Sequence, residues 1–61
     1  MRTLYTMTNW TRRTDALYLT LDALRSAMVA DLHDGDLYTI WSMVSEGGVG
    51  EAIEGGMYHP A

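Results

Sequence analysis

Between Asp15 and Leu32 the apolar positions recur with a helical period. Leu17, Leu21, Leu24 and Met28 follow one another at spacings of four, three and four. That places them on one stripe of an α-helix, which turns once in about 3.6 residues. Ala16, Ala23, Ala27 and Ala30 make a second stripe of small residues beside it. Asp15, Tyr18, Asp22, Arg25, Ser26 and Val29 fill the remaining face. The pattern predicts a main helix over residues 14–34. Thr14 is its expected N-cap, with Thr11 competing, and Asp15 in the first turn suits the helix dipole. Gly35 offers the left-handed conformation that closes helices.

Asp36 then reads as the cap of a second helix over residues 36–46. Leu37, Ile40, Trp41 and Val44 form its apolar side, opposite Tyr38, Thr39, Ser42 and Ser45. A hairpin about Asp34-Gly35 is the rival, because Asp-Gly suits a two-residue turn. Apolar and polar residues do not alternate there, which favours the helix. A short third helix is expected over residues 49–54, followed by a tail over 55–61, where Pro60 bars further helix. Residues 1–13 are rich in Thr and aromatics, which favour strands; they are expected to form an extended arm or a short strand. The expected fold is a mainly α, two- to three-helix single domain with that arm.

Composition narrows the picture. A chain of 61 residues buries only about 60 % of its unfolded surface and is marginal alone. Such chains usually add disulfides, a metal or a partner. Cysteine is absent, so disulfides and thiolate metal sites are excluded. The N-terminus has no apolar run like that of a secretory signal, and nothing approaches the roughly 18 apolar residues of a membrane span. These features lead to the expectation of a soluble, cytoplasmic protein with no membrane partner. Charge is uneven: side chains contribute +3 over residues 1–14 and −7 over residues 15–61, together the net −4.

Candidate chemistry is sparse. The stretch from Gly47 to Ile53 lacks the third Gly of a dinucleotide fingerprint and the Lys and Ser/Thr of a phosphate loop. Registering Gly35 at the sixth position of a calcium loop puts Ala30, Leu32 and Trp41 where ligands belong. His33, Asp34 and Asp36, with His59, are too loosely spaced to argue a metal. No activated nucleophile is visible. Four Arg against eight acids is the wrong balance for direct nucleic-acid binding. No catalytic residue, cofactor or metal is therefore expected.

The expected function is a non-enzymatic inhibitor or regulator that occupies a larger protein partner. One setting is the small phage or mobile-element inhibitor of anti-CRISPR or anti-restriction type. In its physical form, a nucleic-acid mimic, Asp15, Asp22, Asp31, Asp34, Asp36, Glu46, Glu51 and Glu54 would cover a basic nucleic-acid-binding site. The alternative is a structural or assembly protein that forms a homo-oligomer through the apolar stripe Ala16, Ala23, Ala27 and Ala30.

Overall fold

The computed structural model describes residues 2–44 and 50–60. Strand β1 runs Thr3–Asn9, β2 Thr14–Tyr18, β3 Leu37–Val44 and β4 Glu51–Met57; one helix, α1, spans Leu21–Asp31. The strands form one antiparallel sheet in the order β2-β1-β3-β4. The mainly α expectation is thus overturned: the chain is mainly β, with one short helix among the described residues.

The expected arm allowed a short strand; the expected helices over 14–34, 36–46 and 49–54 are what the structure overturns. The arm is the strand β1, at the centre of the sheet, hydrogen-bonded to β2 on one side and β3 on the other. The expected main helix over 14–34 is divided. Its first part is β2, and only Leu21–Asp31 is helical. The expected second helix is β3, and most of the expected third helix, with the start of the expected tail, is β4. The expected helix residues Ser45, Glu46 and Val49 lie outside the described residues.

Thr20, not Thr14, caps α1. Its backbone is extended and its Oγ1 accepts from the Ala23 N–H at 3.1 Å, while Asp22 sits in the first turn. Leu32 ends the helix in extended geometry, its N–H bonded to the Met28 carbonyl. Gly35 does take a left-handed φ of 90°, but in the loop beyond the cap. Thr20→Ala should lower stability by about 1 kcal/mol, read as a shift of the thermal midpoint followed by circular dichroism. An unchanged midpoint would show that the cap contributes nothing.

The pleat sorts the strand residues onto two faces. Tyr5, Met7 and Asn9 lie on one face with Ala16 and Tyr18 of β2, Tyr38 and Ile40 of β3, and Glu54 of β4. Helix α1 packs over this face against β1 and β2. Met7, Leu24, Met28, Leu32 and Ile40 are the buried core, with Tyr5, Tyr18, Leu21, Tyr38 and Tyr58 packed around it. Tyr38 and Tyr58 meet edge to face, with ring centroids 6.3 Å apart.

Two polar links fasten this layer. Arg25 of α1 donates two hydrogen bonds to Glu54 of β4, at 2.8 and 2.7 Å, and the Tyr38 hydroxyl donates to the same carboxylate at 3.0 Å. The bonds from Arg25 hold the Glu54 carboxyl below its ordinary pKa, and burial raises that of the Tyr38 phenol. The second link is buried. Asn9 Nδ2 donates to Asp36 Oδ2 at 3.1 Å, and the same oxygen accepts from the His33 N–H at 3.0 Å. Asn9 Oδ1 accepts from the Arg12 N–H, so one side chain joins the β1–β2 turn to the loop between α1 and β3.

Candidate functional site

The second face of the sheet has no layer over it among the described residues. Alternation along the registered strands gives it Leu4, Thr6 and Thr8 of β1, Asp15 and Leu17 of β2, and Leu37, Thr39, Trp41 and Met43 of β3. Ala52, Gly55 and Met57 of β4 complete it. Trp10 continues β1, its N–H bonded to the Leu37 carbonyl at 2.8 Å. Between Ile40 and Trp41 the register shifts: Ile40 faces Glu54 while Trp41 faces Ala52, so Ile53 is the extra residue of a β-bulge.

This open face is strongly apolar. Trp10 is 54 % exposed, Leu17 58 %, Leu37 46 % and Met57 54 %, and Ile53 at the bulge is also exposed. Leu4, Trp41 and Met43 are half-buried among their neighbours. One ridge reads Trp10, Leu37, Met57 across the strands, and another reads Leu17, Thr6, Trp41, Ala52. Thr8, Thr39 and Gly55 form the lower row between them.

Both indoles reach into that lower row. Trp10 Nε1 donates to Thr39 Oγ1 at 2.9 Å, and Trp41 Nε1 donates to Thr8 Oγ1 at 3.2 Å. Thr8 Oγ1 in turn donates to Asp15 Oδ1 at 2.6 Å. Satisfying each indole N–H within the face leaves the ring carbons as the surface on offer. Thr8 and Thr39 face each other across the β1–β3 ladder, so the two Trp–Thr bonds are related by the local two-fold of an antiparallel pair.

The expected acidic residues do not assemble into one array. Asp36 is buried in its link to Asn9, and Glu54 is bound by Arg25. Asp15 lies on the open face, bonded to Thr8. Asp34 stands 2.9 Å from His59 Nδ1, tying the C-terminal residues to the loop. Asp22, Asp31 and Glu51 are exposed at the first turn of α1, at its last residue and at the start of β4. Glu46 lies outside the described residues.

The small-residue stripe is likewise divided. Ala16 is on β2 and faces the helix layer, whereas Ala23 and Ala30 are exposed on α1 and Ala27 is half-buried. The apolar sheet face went unread in the sequence, although one signal was present. In Leu37–Val44 apolar residues fall on both parities, the mark of a strand with two apolar faces.

Other candidates are weaker. A half-open cavity of about 300 Å³ lies between the β1–β2 hairpin and the end of α1, lined by Met7, Asn9, Arg12, Ala16, Tyr18 and Asp31 among others. The Asn9 side chain there is already bonded on both its atoms. Among the described residues no group of three or more His, Asp or Glu is placed to hold a metal ion. No described helix is long and apolar enough to cross a membrane. Comparison with protein-family models, with curated proteins and with solved structures found no match.

Proposed function

We propose that this chain is a non-enzymatic protein-association module whose contact surface is the open face of the sheet. The observation that carries it is the exposure of the row Trp10, Leu37 and Met57, and of Leu17 beyond the Thr8–Thr39 row, on a face where Asp15 is the sole charge among the described strand residues. A patch of this kind on a small domain marks a contact site, and aromatic residues with a satisfied polar edge are enriched at such sites. In this reading the chain serves as a regulator of a larger protein or as an assembly unit, in the cytoplasm, and carries no catalytic role.

A second reading keeps the acids as the contact, covering a basic nucleic-acid-binding site on a target such as a defence complex. The observation favouring it is placement. Asp22, Asp31 and Glu51 are all exposed and all lie off the open face.

Affinity capture from host extract with two variants separates the readings. Leu17→Asp should abolish recovery of protein partners while the folded signal persists. The pair Asp22→Asn with Asp31→Asn should leave recovery intact. The opposite pattern transfers the contact to the acids, and loss in neither variant removes the open face from consideration.

A further inference from the structure

We infer that the open face is covered by a second copy of this chain, two sheets stacking face to face with their α1 layers outermost. The inference rests on the association reading above and names the partner. The first support is the core. Met7, Leu24, Met28, Leu32 and Ile40 are the buried apolar side chains of the described residues, with neither a disulfide nor a metal cluster beside them. A domain is ordinarily two or three packed layers, and a sheet apolar on both faces is satisfied only when both are covered. Here the described residues supply a cover for one.

The second support is charge. Each copy carries a net charge of −4, so two copies repel at long range in any orientation, and the repulsion is least through the face that holds the fewest acids. Asp22 and Asp31 stand on α1, and Glu51 shares its sheet face with Ser42, away from the open side. On the open face the strand carboxylate is Asp15, and Thr8 already donates to it. This face therefore lets like copies meet with the least repulsion, whereas a strongly basic partner would find little there to bind.

The third support is area and shape. Strands of 5, 7, 8 and 7 residues, about 4.8 Å apart and rising about 3.3 Å per residue, give a footprint of roughly 430 Å². Two such faces come to roughly 900 Å² in projection, and side-chain relief raises the accessible area above about 1,000 Å², where specific interfaces begin. Two ridges flank the Thr8, Thr39 and Gly55 row, across which the Trp10–Thr39 and Trp41–Thr8 bonds run. A dyad dimer presents the same patch from both copies. Stacked twisted sheets lie about 10 Å apart with strands about 30° from parallel, close enough for the exposed Trp10, Leu17, Leu37 and Met57 side chains of the two copies to interdigitate.

The test is the mass of the full chain in solution by sedimentation equilibrium, with acrylamide quenching of its tryptophans measured over the same dilution series. The expected result is twice the 6.8 kDa chain mass at tens of micromolar, with Trp10 becoming more accessible as the dimer dissociates. Leu17→Asp should weaken the dimer by about a hundredfold, since the dyad places the substitution twice. Val29→Asp on the exposed outer side of α1 should leave it unchanged. Leu17 and Val29 are both exposed, so both variants should keep the parent circular dichroism. For a variant that did not, Met57→Ser supplies the same comparison. A single-chain mass at several hundred micromolar, or a dimer broken by Val29→Asp and not by Leu17→Asp, would overturn the inference. A monomer whose Leu17→Asp variant loses capture of a host protein overturns the dimer and leaves the association reading standing. A dimer indifferent to both Leu17→Asp and Met57→Ser overturns the inference, and the association reading falls with it if capture is indifferent too.

Discussion

Ile40→Ala is expected to remove about half of the chain's stability. Ile40 is fully buried, with Met7 opposite it on β1 and Glu54 opposite it on β4. Removing its side chain beyond Cβ should cost about 2–5 kcal/mol, the transfer free energy plus the cavity left behind. The whole chain, at 0.05–0.15 kcal/mol per residue, has about 3–9 kcal/mol to lose. Leu24→Ala should do the same from the helix side, since Leu24 is also fully buried. The readout is a urea or thermal transition followed by circular dichroism at fixed protein concentration. Val29→Ala is the comparison, because its exposed side chain lies on α1 away from both the core and the open face. If Ile40→Ala melts like Val29→Ala, the core does not sit between the helix and the sheet.

The buried link between Asn9 and Asp36 should give the second large effect, one that depends on pH. Asn9→Ala removes the donor to Asp36 Oδ2 and the acceptor of the Arg12 N–H. Losing these bonds in a buried setting should cost about 1–3 kcal/mol near neutral pH. Asp36 supplies the pH dependence. The His33 N–H and then Asn9, with Arg12 nearby, hold its carboxyl below its ordinary pKa. Unfolding restores that ordinary value, so the unfolded chain binds the proton more tightly than the folded one. The stabilisation is therefore fully present above the unfolded pKa, about 3.9, and fades as pH falls through the lower folded value. Glu54 is shifted in the same direction by Arg25, but it is more exposed and solvent screens its share. The thermal midpoint of the parent should drop on acidification below about pH 4. Asp36→Asn should start lower at neutral pH and fall less steeply. Parallel pH profiles for the two proteins would remove Asp36 as the titrating group.

Part of this fold is legible in the residues. Thr-rich β1 announces a strand, and Leu24 and Met28 keep their helical spacing as the buried side of α1. The division of 14–34 is hidden because Leu17 and Ala16 happen to continue the periods of Leu21 and Ala23 across the break. Propensity held the missing clue: Thr20 with Asp22 is as good a helix start as Thr14 with Asp15, and Tyr18-Leu19 before it is β-prone. In β3 the failure has a different cause. A strand alternates only when one face is wet, and here Ile40 goes to the core while Leu37, Trp41 and Met43 go to the open face. The same two-sided pattern that obscured the strand built the candidate site. Contacts between Trp10 and Thr39, or Trp41 and Thr8, depend on a register that no local pattern states.

The position of β1 also governs how the chain reaches this fold. Its pairing with β2 closes across a short turn, but its pairing with β3 must close a loop of roughly 28 residues between Asn9 and Tyr38, at a correspondingly larger entropic cost. The Asn9–Asp36 bond and the Trp10–Leu37 backbone bond sit at the mouth of that loop and form only when it closes. By contact order, that long-range closure is expected to set the folding rate, and until it forms β1 has one edge without a partner strand.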